Sequence, residues 1–481
     1  MKAMHIGGKL RRLRQERHLS QAQMAAELQI SPSYLNLIES NRRPVTARVL
    51  LQLADKFKVD VGSLATEDDG RLTSDLMEAL SDSFFEDHDI KTSDVRDLVA
   101  TLPGVGRALL ALYHAYHAGV GSASEVSPAG APQGEVQGER VLTGLPSEEV
   151  TDFLQSRRNH FADLEKAAEE LWRDNDLALH TLQQDLVRVL SQRYAVQVEI
   201  VPWGRTPGLL RSYNPLTRRL ELSEMLPPAS RTFQLAHQIA FLGYRPVLEH
   251  QGAGGKLTSP ASDALARSAL ANYFAAAVMM PYARFIEAAR ATRYDIEVLQ
   301  SRFGASFEQV CHRLTTLRRP GDEGIPFHLI RVDIAGNISK RFSASGIHIA
   351  RFGAACPRWN VYDAFATPGM IRVQVSRMPD GQTFFCVART IGSPGHNTLR
   401  GGLPQRIERL SLGLGCALGH ARDIVYADGL HLEDPQIVTP IGVSCRTCAR
   451  TDCSDRASPA IAQRLEIDEN RRGQSPYMVS D

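Results

Sequence analysis

The sequence predicts a multi-domain chain, in which an all-α helix-turn-helix domain at the N-terminus is followed by α+β domains. The first 65 residues show helical periodicity with clear capping signals, and alternating strand patterns begin near position 194. Between them, residues 118–146 are rich in Gly, Ala, Ser and Pro, which is typical of a flexible linker. A length of 481 residues leaves room for several separate cores.

Charge and cysteine content narrow the class of protein. Residues 1–65 carry eleven Lys or Arg against five Asp or Glu, whereas residues 66–100 carry three against eleven. A basic head of this kind predicts a partner with a negatively charged surface. We expect a cytoplasmic protein without a membrane segment, because no run of 18 apolar residues and no secretion signal is present. Seven cysteines in such a chain favour metal or redox chemistry over disulfides.

The helix-turn-helix prediction depends on two capping signals. Ser20 followed by Gln23 is a capping box that starts one helix. Ser31 before Pro32 starts the next, with Pro at the first helical position. The short gap between the two helices is the spacing of the motif.

In this motif the N-terminal residues of the second helix enter the major groove, and dimers bind paired half-sites. We therefore expect the partner to be a double-stranded DNA operator. The predicted contacts are Arg12, Gln21, Ser33, Tyr34, Asn36, Arg42 and Arg43. The stretch resembles helix-turn-helix domains of the phage-repressor type.

A helix over 231–244 contains a single histidine, His237. A zinc peptidase would show H-E-x-x-H, with two ligands on one helix face and a glutamate base. Here Gln238 replaces the glutamate and Phe241 replaces the second histidine. The region resembles the IrrE/ImmA-type metallopeptidase domain, including 269-ALANYFAAAVMMPYARF-285, but Arg267 and Ser268 stand where a carboxylate ligand is expected. We predict a peptidase-like domain without hydrolytic activity.

Residues 326–343 and 369–390 predict hairpins, so the C-terminal part is expected to be α+β. Cys386 falls in the second hairpin, and Cys311 falls in a helical pattern. Cys416, in SLGLGCALGHA, is predicted to lie in a helix-like run with small neighbours.

Cys445, Cys448 and Cys453 follow the pattern C-x2-C-x4-C. Three thiols at this spacing suit an iron–sulfur cluster, and zinc is the alternative. Both groups usually take four ligands, and we expect Cys356 as the fourth, with Cys416 as the alternative. Arg446, Arg450 and Arg456 add positive charge around the thiols.

The N-terminal motif is followed in this chain by ANYFAAAVMMPY, CPRWNVYDAF, MPDGQTFFCVART and GVSCRTCARTDC. This order of motifs resembles that of the short-chain fatty acyl transcriptional regulator family. The resemblance implies α+β sensor domains, acyl-CoA as the ligand and a 4Fe–4S cluster on the cysteines. The expected divisions are a helix-turn-helix domain at 1–65, a helical connector at 66–117, a linker at 118–146, a degenerate metallopeptidase-like domain at 147–320, and a C-terminal α+β domain with the cysteine motif at 321–481.

A CoA thioester needs cations for its phosphates and an aromatic face for its adenine. The predicted contacts are Arg211, Arg219, Tyr273, Arg331 and Lys340, with Arg218 and Arg341 beside them. The expected function is therefore a DNA-binding regulator, a homodimer or higher even oligomer, that controls short-chain fatty acid genes (propionate, acetate, methylcitrate or glyoxylate metabolism). The alternatives are a zinc-dependent peptidase that cleaves a partner repressor, and a zinc-stabilised DNA-binding protein without a ligand.

Overall fold

The computed structural model describes residues 19–39 with scattered positions between 10 and 57, and then 67–88, 90–123, 146–205, 208–255, 257–351, 355–392 and 409–460. The chain divides into two compact units. The first consists of Met1–Leu142, Ala350–Phe352 and Cys445–Asp481, and the second of Thr143–Ile349 and Gly353–Ser444. No helix in the described part of the chain is long and apolar enough to cross a membrane.

The first unit begins with the two predicted helices, α1 (Gln21–Glu27) and α2 (Pro32–Glu39). Both capping signals are confirmed. The Ser20 hydroxyl accepts the Gln23 N–H at 3.2 Å, and the Gln23 side chain accepts the Ser20 N–H at 2.8 Å. At the start of α2 the Ser31 hydroxyl accepts the Tyr34 N–H at 3.1 Å. The caps satisfy backbone donors that would otherwise lack a partner at each helix start.

A buried glutamate, which the sequence analysis did not single out, holds these helices together. Glu39, at the end of α2, is 3% exposed. It accepts two hydrogen bonds from Arg14, at 2.7 and 3.1 Å, and one from Gln21 at 2.8 Å. The hydrogen bond to Glu39 raises the pKa of Arg14. The pair therefore fixes α2 relative to the preceding chain.

The helical connector contains α3 (Glu67–Ala79), a 3-10 turn (Ser83–His88), α4 (Thr92–Thr101) and α5 (Pro103–Ala123). Their apolar faces form a small core that includes Leu76, Val95, Val99 and Leu110. Helix α5 continues beyond position 117 into the predicted linker, since the Leu- and Ala-rich run before it extends the helix. The remainder of that linker, 124–145, lies outside the described residues.

The acidic character of the connector has a structural role on α3. Asp75 and Glu78 are both buried on this helix. The Arg351 guanidinium donates a hydrogen bond to Asp75 at 2.8 Å, and the Arg351 backbone N–H donates one to Glu78 at 2.7 Å. Part of the negative charge is thus used within the first unit to hold the segment around Arg351.

The second unit begins with helices packed around a small sheet. The helices are α6 (Pro146–Ser156), α7 (Ala162–Asp174), α8 (Leu182–Tyr194), α9 (Pro228–Gly243), α10 (Arg245–Ala253), α11 (Pro260–Met279), α12 (Tyr282–Ala291), α13 (Ile296–Phe303) and α14 (Phe307–Leu314). The strands are β1 (Gln197–Val201), β2 (Arg211–Asn214) and β3 (Arg219–Ser223). Strands β2 and β3 form an antiparallel hairpin, and β1 pairs with β3 in parallel.

A buried ion pair joins three helices of this region. Glu165 on α7 is 1% exposed and Arg313 on α14 is 0% exposed. The Arg313 guanidinium donates to both carboxylate oxygens, at 2.6 and 2.9 Å, and to the carbonyl of Met280 at 2.9 Å. Tyr273 on α11 donates its hydroxyl to Glu165 at 2.6 Å. Burial opposes the charge on Glu165, but Arg313 outweighs it and lowers the pKa of this carboxyl.

The C-terminal part of the second unit is built on an antiparallel core of strands. After the short ribbon β4 (Arg318–Arg319) and β5 (Asp322–Glu323) come β6 (His328–Asp333), β7 (Ile338–Ser343), α15 (Asn360–Asp363), β8 (Arg372–Arg377), β9 (Thr383–Gly392), β10 (Arg409–Ala417) and β11 (Val438–Pro440). The large sheet has the order β11-β8-β9-β10-β6-β7. Both predicted hairpins, β6-β7 and β8-β9, are confirmed.

The helix-like prediction for the stretch around Cys416 was wrong, because this residue lies in strand β10. The stretch contains small residues for packing reasons. A Cβ on Gly413 would lie 2.5 Å from Val361, and one on Gly415 would lie 2.5 Å from His328. The glycines therefore allow neighbouring side chains to lie directly against a central strand.

Replacing Arg313 with Met should destabilise the second unit by about 3–5 kcal/mol, because Glu165 would remain buried without its partner. Urea unfolding followed by circular dichroism measures this loss. Arg245→Met is the matched control, since it removes only the exposed Arg245–Glu249 pair and should cost less than about 1 kcal/mol. Equal stability of the two variants would contradict a structural role for the buried pair.

Candidate functional site

The predicted DNA-contacting surface lies on α2. Ser33 and Asn36 are exposed, and Tyr34 is half-buried with the Arg43 guanidinium 5.6 Å from the centre of its ring. Gln21 is turned toward Glu39 and α2. This arrangement presents polar side chains from the N-terminal half of the second helix, the part that reads base edges in this motif.

Two predicted phosphate contacts, Arg12 and Arg42, lie outside the described residues. The structure thus describes Gln21, Ser33, Tyr34, Asn36 and Arg43 of the predicted set. Their roles remain predictions.

The former metal position of the peptidase-like domain contains an unexpected contact. His237 on α9 is 6% exposed. Its Nδ1 atom lies 2.6 Å from a terminal nitrogen of Arg211, which reaches across from strand β2. The same nitrogen of Arg211 lies 3.5 Å from the carbonyl of Gln234. Sequence analysis named both residues but did not predict that they meet.

The contact fixes the protonation state of His237. Arginine only donates hydrogen bonds, so Nδ1 must accept and the proton must sit on Nε2. Burial, followed by the charge of Arg211, lowers the pKa of His237 to about 3, and a backbone interaction with Ser268 opposes this only partly. The imidazole is therefore neutral, and its basic nitrogen is already occupied by the guanidinium.

The remaining catalytic positions carry no replacement for a metal ligand. Phe241 packs edge-on against the His237 ring with the centroids 5.1 Å apart. Gln238 is 4% exposed, and its amide has no charge with which to act as a base. Across the described residues, no group of three His, Cys, Asp or Glu side chains could hold a metal ion. The cleft keeps the peptidase-like architecture without its catalytic groups.

Two of the predicted acyl-CoA contacts, Arg331 and Lys340, lie directly opposite each other on β6 and β7. Both donate to the same oxygen of Glu308 on α14, at 2.7 and 2.9 Å. Burial would raise the pKa of Glu308, but the hydrogen bond from His312 and the charge of Lys340 hold it below its usual range. Sequence analysis missed Glu308, since nothing in a helical pattern shows which strand its carboxylate faces.

The other predicted acyl-CoA contacts have different surroundings. Arg219 is exposed on β3, whereas Arg211 is engaged with His237. Tyr273 is 6% exposed, and its hydroxyl donates to Glu165. Of the five, the structure brings together Arg331 and Lys340.

The three clustered cysteines lie in a loop of the first unit that runs from position 445 to 456, which we call the cysteine loop. Cys448 is buried, while Cys445 and Cys453 are half-buried. The backbone N–H of Ala457 lies 3.4 Å from the Cys445 sulfur, in position to donate to it. Donors aimed at sulfur stabilise a thiolate and the groups it binds.

Arg456 organises the cysteine loop from within. It is 5% exposed. Its guanidinium donates to the carbonyls of Cys445 at 3.0 Å and Cys448 at 3.2 Å, and also to that of Arg450. No carboxylate pairs with it among the described residues. A buried cation that lacks a carboxylate fits a loop whose thiols become anionic on binding an iron–sulfur cluster or zinc. The donor set thus fits such a group in chemistry, although the sulfurs do not converge on a single point.

The two candidates for a fourth ligand lie in different parts of the second unit. Cys356 belongs to the smaller core cluster with Ile441, and its backbone N–H donates to the carbonyl of Val443 at 3.0 Å. Cys416 is 0% exposed and belongs to the large cluster with Leu412 and Leu414. Burial raises the pKa of the Cys416 thiol, which disfavours the thiolate form.

Comparisons with known families divide the chain into three matches. Residues 10–64 match the helix-turn-helix family. Residues 191–315 match the IrrE N-terminal-like domain, and residues 316–477 match the C-terminal domain of the short-chain fatty acyl coenzyme A regulators.

Related proteins match over the full length. The HTH-type transcriptional regulator RamB of Mycobacterium tuberculosis (strain H37Rv) is 40% identical over 482 residues, covering 100% of this chain and 99% of RamB. PrpR of the same strain, another HTH-type transcriptional regulator, is 38% identical over 475 residues. The match covers 99% of this chain and 96% of PrpR. The propionyl-CoA carboxylase regulator of Cereibacter sphaeroides is 38% identical and covers 99% of both chains. A solved Mycobacterium tuberculosis transcriptional regulator is 41% identical with a TM-score of 0.66, and covers 69% of this chain and 99% of its own.

The capped helix pair and the helix-turn-helix match define a helix-turn-helix transcription regulator. The full-length matches then place the chain in a particular family. It belongs to the short-chain fatty acyl coenzyme A regulators.

The neutral state of His237 predicts a pH dependence of stability. Its folded pKa, about 3, lies below the unfolded value of about 6.5. The unfolded state therefore binds more protons between these values, and stability should fall as the pH drops from about 6.5 toward 3, by up to about 1.4 kcal/mol per pH unit for this one group. Urea unfolding of wild type and His237→Asn across this window measures the slope.

His237→Asn keeps an acceptor for Arg211 but removes the titrating ring, so its slope should be smaller than that of the wild type. His250→Asn is the control, because His250 is exposed on α10 and its loss should leave the slope unchanged. An identical slope in all three proteins would show that His237 is not buried in the neutral form.

Proposed function

We propose that this regulator controls genes of short-chain acyl metabolism in response to an acyl-CoA, and that its cysteine loop carries a 4Fe–4S cluster. The observation that carries the proposal is the full-length similarity to a protein named propionyl-CoA carboxylase regulator, combined with the match of residues 316–477. Such a name connects that relative with propionyl-CoA carboxylase, and the similarity extends over 99% of both chains.

The proposed acyl-CoA contacts rest on cations that the ligand's phosphates can reach. Arg331 and Lys340 share one carboxylate, Glu308. Two cations on one anion leave a net positive charge, which favours a phosphate group. Arg219 is exposed on the hairpin of the peptidase-like domain and adds a further cation. Tyr273 can face the thioester only if the Glu165 network opens, since its ring packs against Phe161 and its hydroxyl donates to Glu165.

The proposed cluster ligands are Cys445, Cys448, Cys453 and Cys356. Cys356 is preferred over Cys416 because burial raises the pKa of the Cys416 thiol, which disfavours the thiolate that a cluster binds. When bound, a cluster of this type supplies a redox-active centre and links the segments that hold it. Zinc held by the same thiolates is the alternative.

Regulation requires that the ligand binds one conformation of the protein more tightly than another. The ligand can shift the equilibrium only by this difference in affinity. We propose that the protein acts as a homodimer or higher even oligomer, because heads of this type read paired half-sites. Ligand binding would then change the affinity of two paired helix-turn-helix domains for one operator. The peptidase alternative is disfavoured by the occupied nitrogen of His237.

The first prediction from this proposal concerns DNA. Propionyl-CoA should change the affinity of the full-length protein for its operator by about fivefold to 150-fold, the range of typical allosteric coupling. Fluorescence anisotropy at one fixed salt concentration measures it, because salt alone moves DNA affinity by orders of magnitude. Free CoA and propionate serve as control ligands. If no acyl-CoA of any chain length alters operator binding, the sensing role is excluded.

The second prediction concerns the cluster. Protein purified without oxygen should contain iron and sulfide, and Cys448→Ser and Cys356→Ser should each lose most of both. Cys416→Ser is the matched control, and its iron content should equal that of the wild type. Zinc in place of iron by elemental analysis would support the zinc alternative. Retention of iron by Cys356→Ser together with its loss from Cys416→Ser would reverse the ligand assignment.

A further inference from the structure

The relict metal position of the peptidase-like domain holds a positive charge of its own. In an H-E-x-x-H site a metal ion bridges two histidines and polarises the substrate. Here the Arg211 guanidinium contacts the remaining histidine, His237, at 2.6 Å. A cationic side chain thus lies beside the one histidine of this motif, on the helix and edge strand that form the cleft.

The charge of Arg211 is not neutralised. Two other buried guanidinium groups of the second and first units pair with carboxylates, Arg313 with Glu165 and Arg351 with Asp75. Arg211 instead has two uncharged acceptors, the His237 ring and the Gln234 carbonyl. No carboxylate lies within ion-pairing distance of it in the described part of the chain. A partly buried cation without a counter-charge is costly unless an anion is supplied.

Unused hydrogen-bond donors accompany this charge. One terminal nitrogen of Arg211 makes both of its contacts. The Nε atom and the other terminal nitrogen have no acceptor among the described residues. Gln238, at the position of the lost glutamate base, is 4% exposed, and its side-chain amide makes no hydrogen bond in the described structure. Its amide atoms are not among the fully buried unpartnered ones, so the group remains available to a ligand or to water.

The surroundings would strengthen binding of an anion. Phe241 and Phe233 pack around the His237 ring, with centroid distances of 5.1 and 6.4 Å. Aromatic walls lower the local dielectric and strengthen a charge-assisted hydrogen bond. Arg211 begins strand β2, which is an edge strand of its sheet. A ligand can therefore approach from the side where no strand pairs with β2 in the described structure.

We propose that the relict metal centre is a receptor for one oxyanion, a carboxylate or a phosphoryl group, with Arg211 replacing the metal ion as the source of positive charge. The planar guanidinium offers two parallel N–H groups that match such a group. His237 serves as a neutral positioning residue that orients Arg211, and Gln238 supplies an additional donor. This inference goes beyond the proposed acyl-CoA response, since the site can bind a free anion or the phosphate or carboxylate group of a larger ligand.

Isothermal titration of the full-length protein with inorganic phosphate and with propionate, each at one ionic strength set with chloride, tests the proposal. The wild type should bind at least one of the two anions, and Arg211→Met should weaken that binding by about tenfold to hundredfold. Arg205→Met is the matched control, because it removes a guanidinium from the exposed pair with Glu199 and should leave the affinity unchanged.

The two anions distinguish the possible sources of the ligand group. Binding of phosphate alone assigns the site to phosphoryl groups, and binding of propionate alone assigns it to carboxylates. Arg211→Lys covers the case in which Arg211→Met fails to fold. It keeps the charge but loses the paired donors, so its affinity should lie between those of the wild type and Arg211→Met.

Failure of this inference is separable from failure of the proposed function. If the wild type binds neither anion, or binds one as tightly as Arg211→Met and Arg211→Lys do, the inference is overturned. Operator binding with propionyl-CoA is measured on the same preparations. Anion binding can be lost in Arg211→Met while propionyl-CoA leaves the affinity of the wild type for its operator unchanged. That result would support the anion receptor and exclude only the acyl-CoA response.

Discussion

The buried pair of Glu165 and Arg313 is the constraint around which the peptidase-like domain is arranged. It joins α7 to α14, receives the hydroxyl of Tyr273 from α11, and reaches the carbonyl of Met280. Each charge is tolerable in the interior because the other is present and the remaining donors are satisfied. The same network explains why Tyr273, an attractive aromatic in the sequence, is engaged in the core.

The rule that a buried charge needs a partner also identifies the places where the chain departs from it. Arg14 pairs with Glu39, and Arg313 with Glu165. Arg211 beside His237 and Arg456 inside the cysteine loop meet only uncharged acceptors among the described residues. Both occur where the sequence predicted a ligand or cofactor. Each is a positive charge for which the described residues supply no counter-charge, and both support the proposals of an anionic ligand made above.

Much of the local structure could be predicted from the sequence because its causes are local. The capping box at Ser20, the Ser31 cap and the hairpin of β6 and β7 depend on residues a few positions apart. Gln238 and Phe241 also showed directly that the H-E-x-x-H motif is incomplete. The sequence could not show that Arg211 contacts His237.

The features that escaped prediction depend on contacts across the fold. Arg211 and His237 are 26 positions apart, and Arg331 and Glu308 are 23 apart. No periodicity reveals which strand faces which helix. Cys416 was misassigned because Gly and Ala neighbours suggested a helix, whereas they serve to admit the side chains of Val361 and His328 against β10. Tertiary packing overrode the local pattern at that point.

The central claim is that a guanidinium group has taken the position of the catalytic metal and holds His237 as a neutral hydrogen-bond acceptor. The most direct measurement is the pair of ring ¹⁵N chemical shifts of His237 in histidine-labelled protein, assigned by comparison with His237→Asn. The account predicts a neutral ring protonated on Nε2, unchanged by added zinc. An imidazolium signal at neutral pH, or a zinc-dependent shift of either nitrogen, would contradict it.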